Sequence, residues 1–185
     1  AIQDTTYEGD ESVIVTLMGS PTAGVTVGAT SVASTLITDD DAPVLSITRD
    51  NATIPESGAT ASTFTVTSTR VSTQNIVAQF AYSGIASTPD FNTTQTISVT
   101  INAGQTTATF TVTAIQDTTY EGDESVIVTL TGSPTAGVTV GATSVASTTI
   151  TDDEAPLLSV SVTPSSIGEA NVTTTFTVVT SNAST

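Results

Sequence analysis

Ile115-Gln116-Asp117-Thr118-Thr119-Tyr120-Glu121-Gly122-Asp123-Glu124 runs directly into Ser125-Val126-Ile127-Val128-Thr129-Leu130. The first ten residues gather four carboxylates beside a single aromatic. The next six alternate with period two, which places Val126, Val128 and Leu130 on one face, the pattern of a half-buried strand. The same ten letters stand at Ile2 to Glu11. About thirty residues after each copy comes a second acidic run, Asp39-Asp40-Asp41 and then Asp152-Asp153-Glu154.

These copies belong to a long internal repeat. Ala1 to Pro43 matches Ala114 to Pro156, with differences only at Met18 against Thr131, Leu36 against Thr149 and Asp41 against Glu154. Beyond the two prolines the similarity weakens but continues. Val44-Leu45-Ser46-Ile47 pairs with Leu157-Leu158-Ser159-Val160, Glu56 with Glu169, and Phe64-Thr65-Val66 with Phe176-Thr177-Val178 after one deletion. Self-similarity at a fixed period is the signature of an array. Residues 1–43 read as the C-terminal part of one unit, 44–155 as a complete unit, and 156–185 as the N-terminal part of the next. The first residue is already inside a repeat, so the sequence reads as a piece of a longer array.

The complete unit alternates apolar and polar residues in seven segments: Val44–Ile47, Ser62–Ser68, Asn75–Ser83, Gln95–Ile101, Thr107–Ile115, Ser125–Leu130 and Ser144–Ile150. Between them lie Glu56-Ser57-Gly58, Thr88-Pro89-Asp90, Asn102-Ala103-Gly104 and Gly132-Ser133-Pro134, all turn chemistry. Val, Ile and Thr dominate, and no window has helical periodicity. Seven alternating strands in about 110 residues predict an all-β fold, a tandem of seven-stranded antiparallel β-sandwiches of immunoglobulin-like build. Asp41-Ala42-Pro43-Val44 and Glu154-Ala155-Pro156-Leu157 leave only short, proline-stiffened joints between units.

Charge narrows the function. The chain carries 18 acidic residues against 2 basic ones, a net charge of −16, with no Cys and no His. Phosphate backbones need cationic partners, so nucleic acid is not expected as a ligand. An anionic membrane would repel the chain, and no apolar run is long enough to span one. Thiolate and imidazole metal sites are absent with their residues. Fourteen of the eighteen acids fall in the four clusters named above. A merely solubilising surface needs no such clustering, and crowded like charges are costly unless something neutralises them. Cations are the natural partners.

Strand order brings the clusters together. Asp117, Glu121 and Glu124 lie on the turn before Ser125–Leu130, and Asp152, Asp153 and Glu154 follow Ser144–Ile150, so antiparallel pairing puts both at one pole, the pole that leads into the next unit. Several hard oxygen donors and no nitrogen or sulfur suit Ca²⁺; Mg²⁺ dehydrates more reluctantly and seldom accepts an all-protein cage.

These residues resemble the Calx-β domain, the calcium-binding sandwich of sodium–calcium exchangers and of many large bacterial surface proteins. The resemblance rests on Asp117-x-x-Tyr120-Glu121-x-x-Glu124 before an alternating strand, on Asp152-Asp153-Glu154 after Thr149-Ile150-Thr151, and on Glu56 together with Pro89-Asp90-Phe91. It covers residues 44–155 and both partial units. It implies more than one Ca²⁺ at that pole, with Glu56, Asp90, Asp117, Glu121, Glu124, Asp152, Asp153 and Glu154 as ligands. By repeat, the partial units carry Asp4, Glu8, Glu11, Asp39, Asp40 and Asp41, and Glu169, at matching positions. Gln116 departs from the family, which often has a second acid there. Asp123 reads as a flanking surface charge, Tyr120 and Phe91 as packing residues, and Arg49 and Arg70 as surface cations without a specific role. The sequons at Asn51, Asn92, Asn171 and Asn182 are of the kind a Thr-rich chain produces by chance.

The expected function is a calcium-binding structural repeat of a long extracellular, cell-surface adhesin or filament, with Ca²⁺ stiffening the joints. Its expected partners are the neighbouring repeats of the same chain. A surface or glycan ligand would be reached through other domains. A calcium-sensing regulatory domain and a metal-free structural spacer are the alternatives. An enzyme is not expected, since the acids are too clustered for a glycosidase pair and there is no aromatic sugar platform.

Overall fold

A computed structural model describes the whole chain except residues 1, 58–59, 88, 92–96, 171–172 and 185. Gly58, Thr88, the Gln95-Thr96 start of the expected fourth strand and the sequons at Asn92 and Asn171 therefore lie outside the described residues. In chain order the strands are β1 (Thr6–Tyr7), β2 (Glu11–Thr16), β3 (Val32–Ile37), β4 (Val44–Arg49), β5 (Thr53–Pro55), β6 (Ser62–Ser68), β7 (Val71–Ser72), β8 (Ile76–Gly84) and β9 (Ser98–Ile101). They continue with β10 (Thr107–Val112), β11 (Thr119–Tyr120), β12 (Glu124–Gly132), β13 (Thr139–Val140), β14 (Val145–Thr151), β15 (Leu158–Thr163), β16 (Thr175–Thr180) and β17 (Ala183–Ser184).

Residues of the complete unit form two packed sheets, ordered β10-β6-β4-β13 and β5-β14-β12-β8-β9. The alternation read from sequence decides which side of each strand faces between them. Phe64 and Val66 of β6, Phe110 and Val112 of β10, and Val126, Val128 and Leu130 of β12 are all buried, together with Leu45, Ile47, Ile76 and Ile101. Phe110 ties the sheets, stacked on Phe64 at 5.3 Å and tilted against Phe80 at 4.7 Å between ring centroids.

Pairing is antiparallel through both sheets except at two edges. β13 lies parallel to β4, and β5 lies parallel to β14. At β5 the reason is a switch in the opening strand. After β4 the chain turns at Asp50-Asn51, where Asp50 Oδ1 accepts the Asn51 and Thr63 N–H groups, and then runs as β5 in the other sheet. That crossing carries Glu56 to the end of β14. The expected strand Thr107–Ile115 is also shorter. It leaves the sheet after Val112, and Ala114 then forms an isolated bridge with Phe91.

The stretches on either side, read above as partial units, hold two isolated hairpins, β2–β3 and β15–β16. Val15 is 62 % exposed whereas its counterpart Val128 is fully buried, because no second sheet covers the hairpin. Each hairpin is nevertheless attached to the complete unit by the same short parallel contact, β1 on β7 and β11 on β17. Two sequon asparagines are engaged in the fold: Asn51 Nδ2 donates to Ala61 O at 2.8 Å and Asn182 Nδ2 to Glu154 O at 3.1 Å.

Gly84 closes β8 opposite Val126 with φ +124°, and a Cβ there would lie 2.0 Å from the Ser125 carbonyl oxygen. Gly84→Ala is expected to cost about 1–3 kcal/mol from backbone strain, with the clash added. Chemical denaturation against a Phe110→Ala control, expected to cost about 3–5 kcal/mol, checks it.

Candidate metal centre

The pole between the two acidic runs is built by backbone before it is built by charge. The Glu121 and Gly122 N–H groups both donate to Asp152 Oδ2 at 2.5 Å, and the Glu154 N–H donates to Asp152 Oδ1 at 2.8 Å. In return the Asp152 N–H donates to Asp123 Oδ1 at 3.3 Å. The first unit repeats this clamp: Glu8 and Gly9 N–H on Asp39 Oδ2, Asp41 N–H on Asp39 Oδ1, and Asp39 N–H on Asp10 Oδ1. Asp123, read from sequence as a flanking surface charge, thus fixes where the second acidic run begins.

Four elements bring carboxylates to this frame. Thr151 pairs with Pro55 in the β14–β5 contact, and the Glu56 N–H donates to Thr151 O at 3.0 Å, which delivers Glu56 beside Asp152. Phe91, 2 % exposed and against Tyr82, anchors the segment that presents Asp90; the Ile115 N–H donates to Asp90 O at 2.8 Å. Glu121 comes from the turn after β11, and Glu124 opens β12.

Two groups of three acids result, Glu56–Asp152–Glu154 and Asp90–Glu121–Glu124, and within each one ligand oxygen per residue lies within 4.8 Å of the others. Glu154 Oε2 is buried with no hydrogen-bond partner among the described residues. An all-carboxylate donor set with an unsatisfied buried oxygen fits a hard divalent cation.

The remaining expected residues fall around these groups. Asp117 spends Oδ1 on the Thr119 N–H of its own turn at 2.6 Å, while its N–H donates to Glu56 Oε1 at 3.3 Å. Its charge acts on both Glu56 and Glu121, so it sits between the triads and in neither. Asp153 is exposed and accepts from Gln116 Nε2 at 3.1 Å. That amide nitrogen also donates to Glu154 Oε1. Gln116 thus meets the acids as a donor in this arrangement. Asp4, Glu8, Glu11, Asp39, Asp40 and Asp41 line one open cavity, without counterparts of Glu56 and Asp90 beside them among the described residues. Glu169 is exposed. Arg70 does have a specific contact: its guanidinium lies 3.4 Å from Asp41 Oδ1 across the joint.

Crowding of the carboxylates changes how tightly they hold protons. Burial, and then the charges of Glu154, Asp117 and Asp152, push Glu56 up to about 7 against one opposing bond from the Asp117 N–H. Burial and the neighbouring Asp90 push Glu124 up to about 7. Burial works to raise Asp152 as well, but its three backbone N–H bonds together hold it below 3.8. Proton uptake by Glu56 and Glu124 is how the pole relieves itself when no cation is present.

The Calx-beta domain family profile matches residues 38–154, and the chain belongs to that family, a class of calcium-binding β-sandwich. Among solved structures it is similar to the apo form of the Calx CBD1 domain, with 19% identity, a TM-score of 0.50, and coverage of 60% of this chain and 98% of that one. CBD12 from CALX1.2 is also similar, at 19% identity and a TM-score of 0.49, with 59% of this chain and 44% of that chain covered. This chain thus spans under half the length of that protein. No curated protein matches the chain.

Because Glu56 and Glu124 bind a proton more tightly folded than unfolded, their contribution is full below 4.5 and is lost as pH rises to about 7. Asp152 contributes the other way, with stability present above 3.8 and lost as pH falls through its lowered value. Thermal melts in EGTA are therefore expected to show Tm falling as pH is raised from about 5 to about 8, and falling again in strong acid.

Proposed function

We propose that the chain is a calcium-binding structural stretch of an extracellular repeat array, in which each complete pole holds two Ca²⁺ ions and the ions brace the joint to the next unit. The observation that carries this reading is the pair of carboxylate triads at the exit of β14, one of them with an orphaned buried oxygen. Glu56, Asp152 and Glu154 would hold one ion and Asp90, Glu121 and Glu124 the other. Asp117 would be shared between them, and Asp153 would complete the outer set. Ca²⁺ takes six to eight oxygens, so carbonyls and water would supply the rest.

The ions would supply charge neutralisation and crosslinking. They would replace the protons on Glu56 and Glu124 and join the β11–β12 turn to the β14 exit from outside. The joint follows Glu154 within a few residues, so loosening this pole would loosen the next unit. The partial unit's Asp4, Glu8, Glu11, Asp39, Asp40 and Asp41, and Glu169 at the other end, would ligate in the same way once their own units are complete. Near-identity of the repeated stretches supports adjoining repeats as partners; the surface location belongs to the same proposal, and any adhesive target would be met by other domains. The acids would have no catalytic role.

Calorimetric titration tests this. Two Ca²⁺ are expected to bind the complete unit, with proton release at neutral pH. Glu56→Gln is expected to remove one ion and Glu124→Gln the other, leaving the melting of the ion-free protein unchanged or raised. Ca²⁺ at a hundredfold excess over Kd adds about 2.7 kcal/mol per site. A chain whose Tm and scattering profile ignore the exchange of Ca²⁺ for EGTA would refute the reading.

A further inference from the structure

The acidic turn has a second side, which faces the next unit. Tyr7 in β1 is only 7 % exposed although it belongs to a partial unit with almost no core of its own. Its ring is buried against residues of the complete unit. The hydroxyl donates to Ala136 O, and a Cβ on Gly137 would lie 2.6 Å from that hydroxyl and 3.1–3.2 Å from the ring carbons. Main chain fixes the approach: Tyr7 pairs with Ser72, the Thr73 N–H donates to Tyr7 O at 3.0 Å, and Gln74 Nε2 donates to Glu8 O at 3.0 Å. Glycine at 137 is required twice, once for φ +74° and once because any side chain would occupy the place of the ring.

The second joint repeats the main-chain half of this contact. Tyr120 pairs with Ser184 in the same parallel manner, yet its side chain is 38 % exposed. Counted at the same offset from Tyr120, Ala136-Gly137 has no counterpart within the 185 residues. Conversely, Ala23-Gly24 is the first unit's copy of Ala136-Gly137. Gly24 has nearly the same backbone, φ +82°, and has nothing within 4 Å of its would-be Cβ.

We propose that the tyrosine of each Asp-Thr-Thr-Tyr-Glu turn is a plug, and the Thr-Ala-Gly loop of the following repeat its socket, so that Tyr120 and Ala23-Gly24 are an open plug and an open socket for adjoining repeats of the same kind. Tyrosine is well matched to such a seat, because a rigid ring fills the space that glycine leaves and one hydroxyl satisfies one carbonyl. The contact is apolar and main-chain in character and sets the order and rotation of successive repeats without a metal. It rests on reading the chain as a repeat array and is independent of whether Ca²⁺ binds.

Hydrogen exchange of the whole chain in EGTA tests it at the Thr73 N–H, which Tyr7 O protects. Tyr7→Ser is expected to speed exchange there by about tenfold or more while β6, β8 and β12 keep their protection. Tyr7→Phe, which keeps the ring and loses the hydroxyl, is expected to fall between. Gly137→Val is expected to loosen Thr73 with Tyr7 intact, and Tyr120→Ser to leave it unchanged. Thr73 exchange unaltered by Tyr7→Ser, or loosened equally by Tyr120→Ser, would overturn the proposal. A failed Ca²⁺ titration would leave it standing and sink only the metal reading.

Discussion

The structure depends on one reciprocal hydrogen-bond set: Asp152 accepting the Glu121 and Gly122 N–H groups while Asp123 accepts the Asp152 N–H. Strand pairing alone aligns β12 with β14 as far as Glu124 and Ile150 and leaves both chain segments free beyond that point. The clamp carries their alignment on past the end of the sheet. It also resolves a conflict, since a pole rich in carboxylates should open by repulsion. Because the Asp152 charge is spread over three N–H donors, it stays ionised cheaply and serves as scaffold. Glu56 and Glu124 have no such donors in number, so burial and repulsion fall on them, and they are the groups that protonate.

Much of the fold was legible because threonine alternates with valine, isoleucine and phenylalanine. Period two requires no knowledge of tertiary contacts, and Phe64, Phe110, Val126, Val128 and Leu130 face the core where the alternation puts them. The crossing of β5 into the second sheet was not legible. It turns on Asp50 accepting two N–H groups, an arrangement with no periodic signature. Burial of Phe91 likewise follows its reading as a packing residue, and that burial is what aims Asp90.

At the pole, clustering of acids could be read, but the division of labour among them could not. Asp10 and Asp123 match no motif and act on main chain, while Asp117, the first letter of the motif, turns one oxygen back on its own loop. Composition cannot separate a carboxylate aimed at solvent from one aimed at an amide two residues away. The repeat does not separate them either, since 40 of the 43 positions are identical in the two copies whatever their role.

One ten-residue turn therefore faces two ways. In the first unit Tyr7 enters the next repeat while Glu8, one residue on, gives its N–H to Asp39 and its carboxylate to the acidic pole; in the second, Glu121 follows Tyr120 in the same way. Adjacent residues of an extended segment point to opposite sides, so neutralisation of the pole and seating of the tyrosine use opposite faces of the same backbone. The two joints need not respond equally. At the first, Arg70 adds an ion pair to Asp41, whereas at the second Asn182 occupies the matching place and only an amide reaches Glu154 O. Among the described residues a cation is built into the first joint and not into the second, so the second has the greater electrostatic need for an ion from solution.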